Sequence, residues 1–211
     1  RKEVSHYGNL DHLYKHVVIQ INDTHPAILV AELMRSLIDE YNYFWDQAWS
    51  ITTQTLAYTN HTILSEALET WENDIMEELL PRNFQIIKEI NKHFVQEMID
   101  NSVSKEDIEN MTIVKNNKIH MANLAIVGSF SVNGVAALHT EILKADTLKA
   151  FHNYFKGKIN NKTNGVTHRR WLLNCNEELS NEITAKIGDK WITDLDQLQK
   201  LQGTNIEFQL N

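Results

Sequence analysis

The sequence predicts an α/β fold, rich in helix and with few strands. Three observations carry that reading. "HVVIQIN" (16–22) is a short apolar run rich in β-branched residues, as in a strand buried inside a parallel sheet. A polar loop, "NDTHP", and an amphipathic segment follow at once, completing a strand–loop–helix unit. Most of the remaining apolar residues recur at helical spacing.

The elements are read in chain order. In "AILVAELMRSLIDEY" (27–41), Ile28, Leu29, Leu33, Leu37 and Ile38 mark a helix face. Asp23 or Thr24 can cap this helix, and Pro26 suits its first turn. "WDQAWSITTQTLAYT" (45–59) reads as a second helix, broken by "NHT". Leu64, Leu68, Trp71, Ile75 and Leu79 are expected to form the inner stripe of a third. Pro81 opens a long amphipathic helix whose stripe is Phe84, Ile87, Ile90, Phe94 and Met98. Residues 101–110 read as a loop or a short helix. In "TIVKNNKIHMANLAIVGS" (112–129) two β-rich runs flank a turn at Asn116-Asn117. "NLAIVG" suits a buried strand or a helix interior, and length does not separate the two. "VNGVAALHTEILK" (132–144) and "DTLKAFHNYF" (146–155) read as helices, the first with a close-packed glycine at its start. "NEELSNEITAKIG" (176–188) is a helix stopped by Gly188, and "WITDLDQLQKL" (191–201) is helical too.

With 211 residues, 42% of them hydrophobic, the chain can bury a real core. Its net charge of −8 and isoelectric point near 5.7 exclude a basic stripe for nucleic acid. No apolar run approaches the ~20 residues of a membrane helix. No signal peptide is visible and the chain opens on Arg1, so a piece of a longer protein is expected. Cys175 is the only cysteine, which excludes an internal disulfide and suits a reducing, cytoplasmic compartment. Its thiol is expected to be buried. Asn-x-Ser/Thr matches at Asn22, Asn60, Asn110 and Asn161 are read as chance in an Asn-rich chain.

His12 and His16 have the i, i+4 spacing that can pair two imidazoles on a helix, but no third ligand stands near them in the sequence. Asp23, His25, His61, His120 and His139 have no metal-ligand spacing either, and no metal site is expected. "KINNKTNGVTHRRWLL" (158–173) admits several readings: surface loop, glycan site, nucleic-acid grip or small-molecule pocket. Together "NDTHP", "YTNHT" and "NKTNG", with Trp171 beyond, bring amides, a carboxylate, imidazoles and an aromatic plate. These are the groups that suit a neutral polyhydroxylated ligand. Each loop taken alone is equally suited to helix capping and turn formation.

The order of motifs resembles the α-glucan (glycogen, starch and maltodextrin) phosphorylase family. The matching stretches are "IQINDTHPAILVAELMR", "AYTNHTILSEALE", "LLPRNFQIIKEIN", "IVGSFSVNGVAALHTEIL" and "INKTNGVTHRRWLLNCN", from about Val17 to about Leu201. The resemblance implies the central part of a glycosyltransferase B architecture with two Rossmann-like domains. Residues 1–168 would be the later part of the N-terminal domain and 169–211 the start of the C-terminal, cofactor-binding domain. It implies phosphorolysis of terminal α-1,4-linked glucose to α-glucose 1-phosphate, with retention and with pyridoxal phosphate. The Schiff-base lysine would lie downstream of this chain and the phosphate-facing Gly-rich loop upstream.

The resemblance also implies residue roles. The His61 backbone carbonyl and Asn164 would contact the glucosyl unit, with Val135 as an apolar neighbour. Asp23 and His25 would line the cleft, Glu66 and Glu69 would stand near the same pocket, and Trp171 would touch the cofactor. The implied partners are α-1,4-glucan, inorganic phosphate, the rest of the chain and a second subunit in a homodimer, with allosteric control as in some relatives. His168 and Ser65 stand where many members carry proline, departures that leave the sugar contacts intact and point to a bacterial subgroup; Phe130 stands where many carry histidine, so no imidazole role is implied there. A non-catalytic carbohydrate-binding module is the rival expectation, and a metal-dependent hydrolase a distant third.

Overall fold

The computed structural model describes residues 8–203; residues 1–7 and 204–211, which end the two expected domains, lie outside it. The chain divides into two compact units, the first running to Thr163 and the second beginning at Asn164.

In the first unit the strands are β1 (Ile19–Asn22), β2 (Leu56–Thr59), β3 (Thr70–Glu72), β4 (Val114–Lys115), β5 (Lys118–His120), β6 (Ser131–Gly134) and β7 (Ile159–Asn161). Its helices are α1 (Leu29–Arg35), α2 (Trp45–Thr55), α3 (Asn73–Leu79), α4 (Pro81–Asp100), α5 (Lys105–Met111), α6 (Met121–Val127), α7 (Ala137–Ile142) and α8 (Lys149–Tyr154). Strands β1, β2, β6 and β7 form a wholly parallel sheet in that order. A parallel sheet needs helical crossovers, which the intervening segments supply. Ile21, Leu56, Tyr58, Val132 and Ile159 of the sheet join Val30, Met34, Phe84, Ile87 and Leu124 of the helices in one buried cluster. Each such side chain contributes roughly 1.5–3 kcal/mol by leaving water.

Helix α4 follows its sequence closely. Proline opens it, and Phe84, Ile87, Ile90, Phe94 and Met98 are all buried. Arg82 at its start donates to both carboxylate oxygens of Asp39, at 2.8 and 2.6 Å, and Asn83 donates to Glu32 at 2.9 Å. The Asn116-Asn117 turn is also as read. Both residues have positive φ, 51° and 58°, and join β4 to β5 as an antiparallel hairpin. Such a pair suits the twist of a two-residue hairpin. "NLAIVG" resolves to helix α6, and residues 105–111 are helical.

Several expectations are corrected. The helix expected over 45–59 stops at Thr55, and Leu56–Thr59 is β2, buried on both faces and so without strand-like alternation. The stripe expected over 64–80 is not a core face: Leu64, Trp71, Ile75 and Leu79 are exposed, residues 70–72 pair with β5, and Met76 is the buried residue. "SVNG" is β6, and α7 begins only at Ala137. Neither Asp23 nor Thr24 caps α1, which starts at Leu29 after a turn in which Ala27 N–H donates to the Thr24 carbonyl at 2.9 Å. His12 and His16 flank a single turn of 3-10 helix, Leu13–Lys15, rather than sharing an α-helix. Strand β7 lies unforeseen within "KINNK". Only Ile159 of it is buried, and Asn160 supports it by donating to Ser131 Oγ at 2.8 Å and the Val132 carbonyl at 3.2 Å.

Lys158, just before β7, is the least comfortable charge in this unit. Its Nζ donates to the Ile126 carbonyl at 2.9 Å and sits 3.7 Å from the centre of the Phe155 ring. Burial pushes its pKa down to about 8, with Glu97 opposing the shift. An ammonium whose folded pKa is depressed lowers stability fully below pH 8, and the penalty fades as pH rises from 8 towards the unfolded value near 10.5. Relative to a Lys158→Met variant, the wild type should therefore gain on the order of 2–3 kcal/mol over that window. Urea denaturation of both proteins at pH 7 and pH 10 measures it, and a pH-independent difference would contradict this assignment.

The second unit holds a wide helical turn at Arg169–Asn174, helix α9 (Glu177–Ile187), and 3-10 turns at Asp189–Ile192 and Leu195–Leu201. The Asn176 side chain caps α9 by accepting from Leu179 N–H at 3.2 Å, and Gly188 ends it with φ 78°, a conformation glycine adopts freely. Trp191 is wholly buried and its indole N–H donates to Thr184 Oγ1 at 3.1 Å. Cys175 is exposed, contrary to expectation, because it caps the end of a helical turn that has no buried residue.

Candidate functional site

The parallel register aligns Asn22 with Thr59, Thr59 with Asn133, and Asn133 with Asn160. A polar row thus crosses the carboxyl end of the sheet, the edge where α/β folds bind ligands. Thr59 Oγ1 donates to Asn133 Oδ1 at 2.9 Å and accepts from Gln20 Nε2 at 2.8 Å. The loops beyond this row are hydrogen-bonded to the strands and to each other.

After β1, Asp23 takes φ 64°, a left-handed conformation that Asp tolerates better than most residues. Its N–H donates to the Thr59 carbonyl at 3.0 Å, extending the ladder by one bond. Its carboxylate accepts from Thr24 N–H at 2.6 Å. Glu69 then gathers the loop. Its Oε2 accepts from Thr24 Oγ1 at 2.8 Å and lies 3.3 Å from His25 Nδ1, while Oε1 accepts from the Trp71 indole N–H at 2.9 Å. Asp23, His25 and Glu69 are brought together by these contacts.

After β2, Asn60 is wholly buried. Its N–H donates to the Asn133 carbonyl at 2.9 Å, and its Oδ1 accepts from Thr62 N–H at 3.1 Å. His61 is exposed, with Nε2 2.7 Å from Asn22 Oδ1, so the side chain is held to β1 while the backbone stays fixed by Asn60. After β6, Val135 N–H donates to His139 Nδ1 at 3.0 Å. The ring proton therefore sits on Nε2. That nitrogen is buried and reaches no partner at full hydrogen-bond geometry, although the Thr62 carbonyl is close enough to favour its protonated form. Burial pushes the His139 pKa down, Thr62 opposes, and His61 adds to the lowering.

Gly134 makes the junction possible. A Cβ there would overlap Thr140 Oγ1 and stand 2.9 Å from His139 Nδ1 and 3.1 Å from the Thr140 Cα. Thr140 in turn donates to Asn161 Oδ1 at 3.1 Å, and Lys162 N–H donates to the Gly134 carbonyl at 3.1 Å. Gly134→Ala should destabilise the first unit by about 1–3 kcal/mol, since backbone as well as side chain must move. A urea midpoint equal to that of the wild type would contradict this close packing.

Other expected site residues stand elsewhere. Glu66 is exposed and lines a groove with Thr70, His120 and Asp146. Phe130 is 47% exposed where β6 begins. Asn164 and Trp171 belong to the second unit, both exposed. The Arg170 guanidinium lies over the Trp171 ring, 4.9 Å from its centre, as a cation–π pair. No group of three or more His, Cys, Asp or Glu positioned to hold a metal ion occurs among the described residues, and no helix among them is long and apolar enough to cross a membrane.

Sequence reasoning passed over Asn133 and the pairing role of His139. The available signal was "VNG" followed five residues later by histidine, hidden by reading the whole stretch as helix.

The family model for carbohydrate phosphorylase matches residues 1–210. A glycogen phosphorylase of Bacillus subtilis (strain 168) is 50% identical over 197 residues, covering 93% of this chain and 25% of that protein. The cytosolic alpha-glucan phosphorylase 2 of Arabidopsis thaliana is 50% identical over 192 residues, 88% of this chain and 23% of its own length. The muscle form of glycogen phosphorylase from Mus musculus is 48% identical over 197 residues, 92% of this chain and 23% of its own. The chain thus spans about a quarter of the length of the curated relatives it matches.

Proposed function

Since the chain belongs to the carbohydrate phosphorylase family, we propose that it is the central segment of an α-glucan phosphorylase. Its parent would transfer terminal α-1,4-linked glucosyl units to inorganic phosphate, giving α-glucose 1-phosphate with retention. The observation that carries this reading is the meeting of the strand-end loops: "NDTHP" and "TNHT" are hydrogen-bonded around one polar row, and past β7 Asn161 and Lys162 are bonded to Thr140 and Gly134.

The His61 carbonyl, held by Asn60, faces the glucosyl ring and steadies positive charge as the glycosidic bond lengthens. Such a preset dipole needs no reorganisation when charge develops. The Asn164 amide donates to and accepts from the sugar hydroxyls, and Val135 packs on the apolar face. Asp23 and His25 line the cleft, and Glu69 holds His25 directly and Asp23 through Thr24.

The N-terminal domain of the parent is assigned to residues 1–168 and the C-terminal domain to the chain from Arg169 onward; the change of compact unit after Thr163 supports a crossing nearby. The exposed Trp171 plate with Arg170 beside it suits one side of an anionic aromatic group, and Trp171 would hold pyridoxal phosphate in the parent. That cofactor, when bound, supplies a phosphate for proton exchange with the substrate phosphate. The parent is assigned to the cytoplasm as a homodimer, and the isolated chain is expected to be inactive.

The test is direct. The purified full-length parent, incubated with maltodextrin and inorganic phosphate, should release α-glucose 1-phosphate. Glucan hydrolysis independent of phosphate, or binding without turnover, would favour a different enzyme or a plain carbohydrate-binding module.

A further inference from the structure

We propose that His168 is a positioning residue for the loop that carries Asn164, a proposal that rests on the functional reading above. From Asn161 to Trp171, His168 is the one buried residue; its ten neighbours in that stretch are all exposed. The loop is tied at its first end by the Lys162 N–H bond to the Gly134 carbonyl, at 3.1 Å. No backbone–backbone hydrogen bond holds residues 163–166 among the described residues. The next anchor is His168, four residues past Asn164 and three before Trp171.

The anchor is chemically specific. His168 Nε2 lies 2.8 Å from the Ile192 carbonyl, and the Arg169 guanidinium donates to the same oxygen at 3.3 Å. The imidazole centre is 6.2 Å from that of Trp191, which is wholly buried and itself pinned through Thr184. A carbonyl acceptor requires the ring proton on Nε2. Nδ1 is then a buried acceptor, and it has no partner. An apolar side chain would fill this space without leaving a nitrogen unsatisfied. What the imidazole adds is the Nε2–H bond to Ile192, which ties the loop end to a packed segment. A proline here would fix its own φ but could donate no such bond.

The full-length holoenzyme tests this with two variants. His168→Phe keeps a ring and removes the donor; His168→Gln keeps a donor near the Nε2 position. Three quantities are read: kcat and KM for glucan phosphorolysis, melting temperature, and backbone hydrogen exchange over residues 162–167. His168→Phe should lower kcat at least tenfold, leave KM for phosphate within about twofold, and speed exchange in the loop at least tenfold. His168→Gln should recover kcat to within about threefold of wild type. Wild-type kcat and exchange in His168→Phe would overturn the proposal. Equal losses in both variants that follow melting temperature would also overturn it, leaving His168 a packing residue. An inactive wild-type parent would sink the functional reading and this one together, whereas an active parent indifferent to His168→Phe sinks only this one.

Discussion

Trp191→Ala is expected to unfold the second unit while helix α4 of the first keeps its protection. Trp191 has no exposed surface and its indole N–H is satisfied by Thr184 Oγ1. Truncating a buried tryptophan costs about 3–5 kcal/mol through lost transfer energy and the cavity left behind. The unit that contains it is small, and small units bury too little surface to absorb such a loss. His168, whose ring centre is 6.2 Å from that of Trp191, and Thr184 would lose their neighbour. Hydrogen exchange on the 211-residue chain reads the outcome. Amides of Glu177–Ile187 should lose protection while those of Pro81–Asp100 keep theirs. Retained protection in α9 would mean that the unit is held by something other than its tryptophan.

Asn164→Ala in the full-length parent is the second large effect, and it falls on catalysis. The Asn164 amide makes no hydrogen bond among the described residues, and Gly165 beside it has open space around its Cα. Truncation therefore removes no intrachain bond, and melting temperature should hold within about 2 °C, the size of shift usual for a neutral surface change. A sugar hydroxyl that loses this amide in an enclosed cleft is left unpaired at a cost of roughly 1–3 kcal/mol, or about 5- to 150-fold in rate. If the bond tightens as the ring gains positive charge, the loss appears in kcat; if it holds only the bound substrate, in KM. A normal kcat/KM with a lowered melting temperature would make Asn164 a turn residue and remove it from the site.

How much could be read from the sequence depended on whether neighbours in the chain are also neighbours in space. The strand–loop–helix unit around "NDTHP" was legible because β1, its loop and α1 follow one another directly. Helix α4 was legible because its twenty residues repeat one periodicity. Strand β2 was not, because "LAYT" continues the composition of the helix before it and is buried on both sides, so no alternation marks it. Strand β7 was hidden by its asparagines, whose pairing partners Val132, Asn133 and Gly134 lie nearly thirty residues away. The stripe from Leu64 to Leu79 shows the opposite failure. Helical spacing was present by coincidence across a turn, a strand and a short helix, and its residues face outward.

The site divides in the same way. "NDTHP" and "TNHT" drew notice as polar clusters, but their composition alone did not separate a sugar pocket from capping. What joins them is register, which sets Asn22 beside Thr59 and Thr59 beside Asn133. The Glu69 contacts to Thr24, His25 and Trp71 depend on β3, where a helix was expected. Conversely, Glu66 lies three residues from Glu69 and looked equivalent to it, yet it faces another groove. A 3-10 turn followed by a strand does not keep i, i+3 neighbours on one face as an α-helix would.

The most direct measurement is a crystal structure of the full-length parent with a maltooligosaccharide and phosphate bound. The terminal glucosyl unit is expected at the carboxyl end of the parallel sheet, with the His61 carbonyl and the Asn164 amide both within about 3.2 Å of it, the upper end of ordinary hydrogen-bond distances. A glucan bound elsewhere, with His61 and Asn164 both facing solvent, would contradict the claim that these strand-end loops form the sugar site.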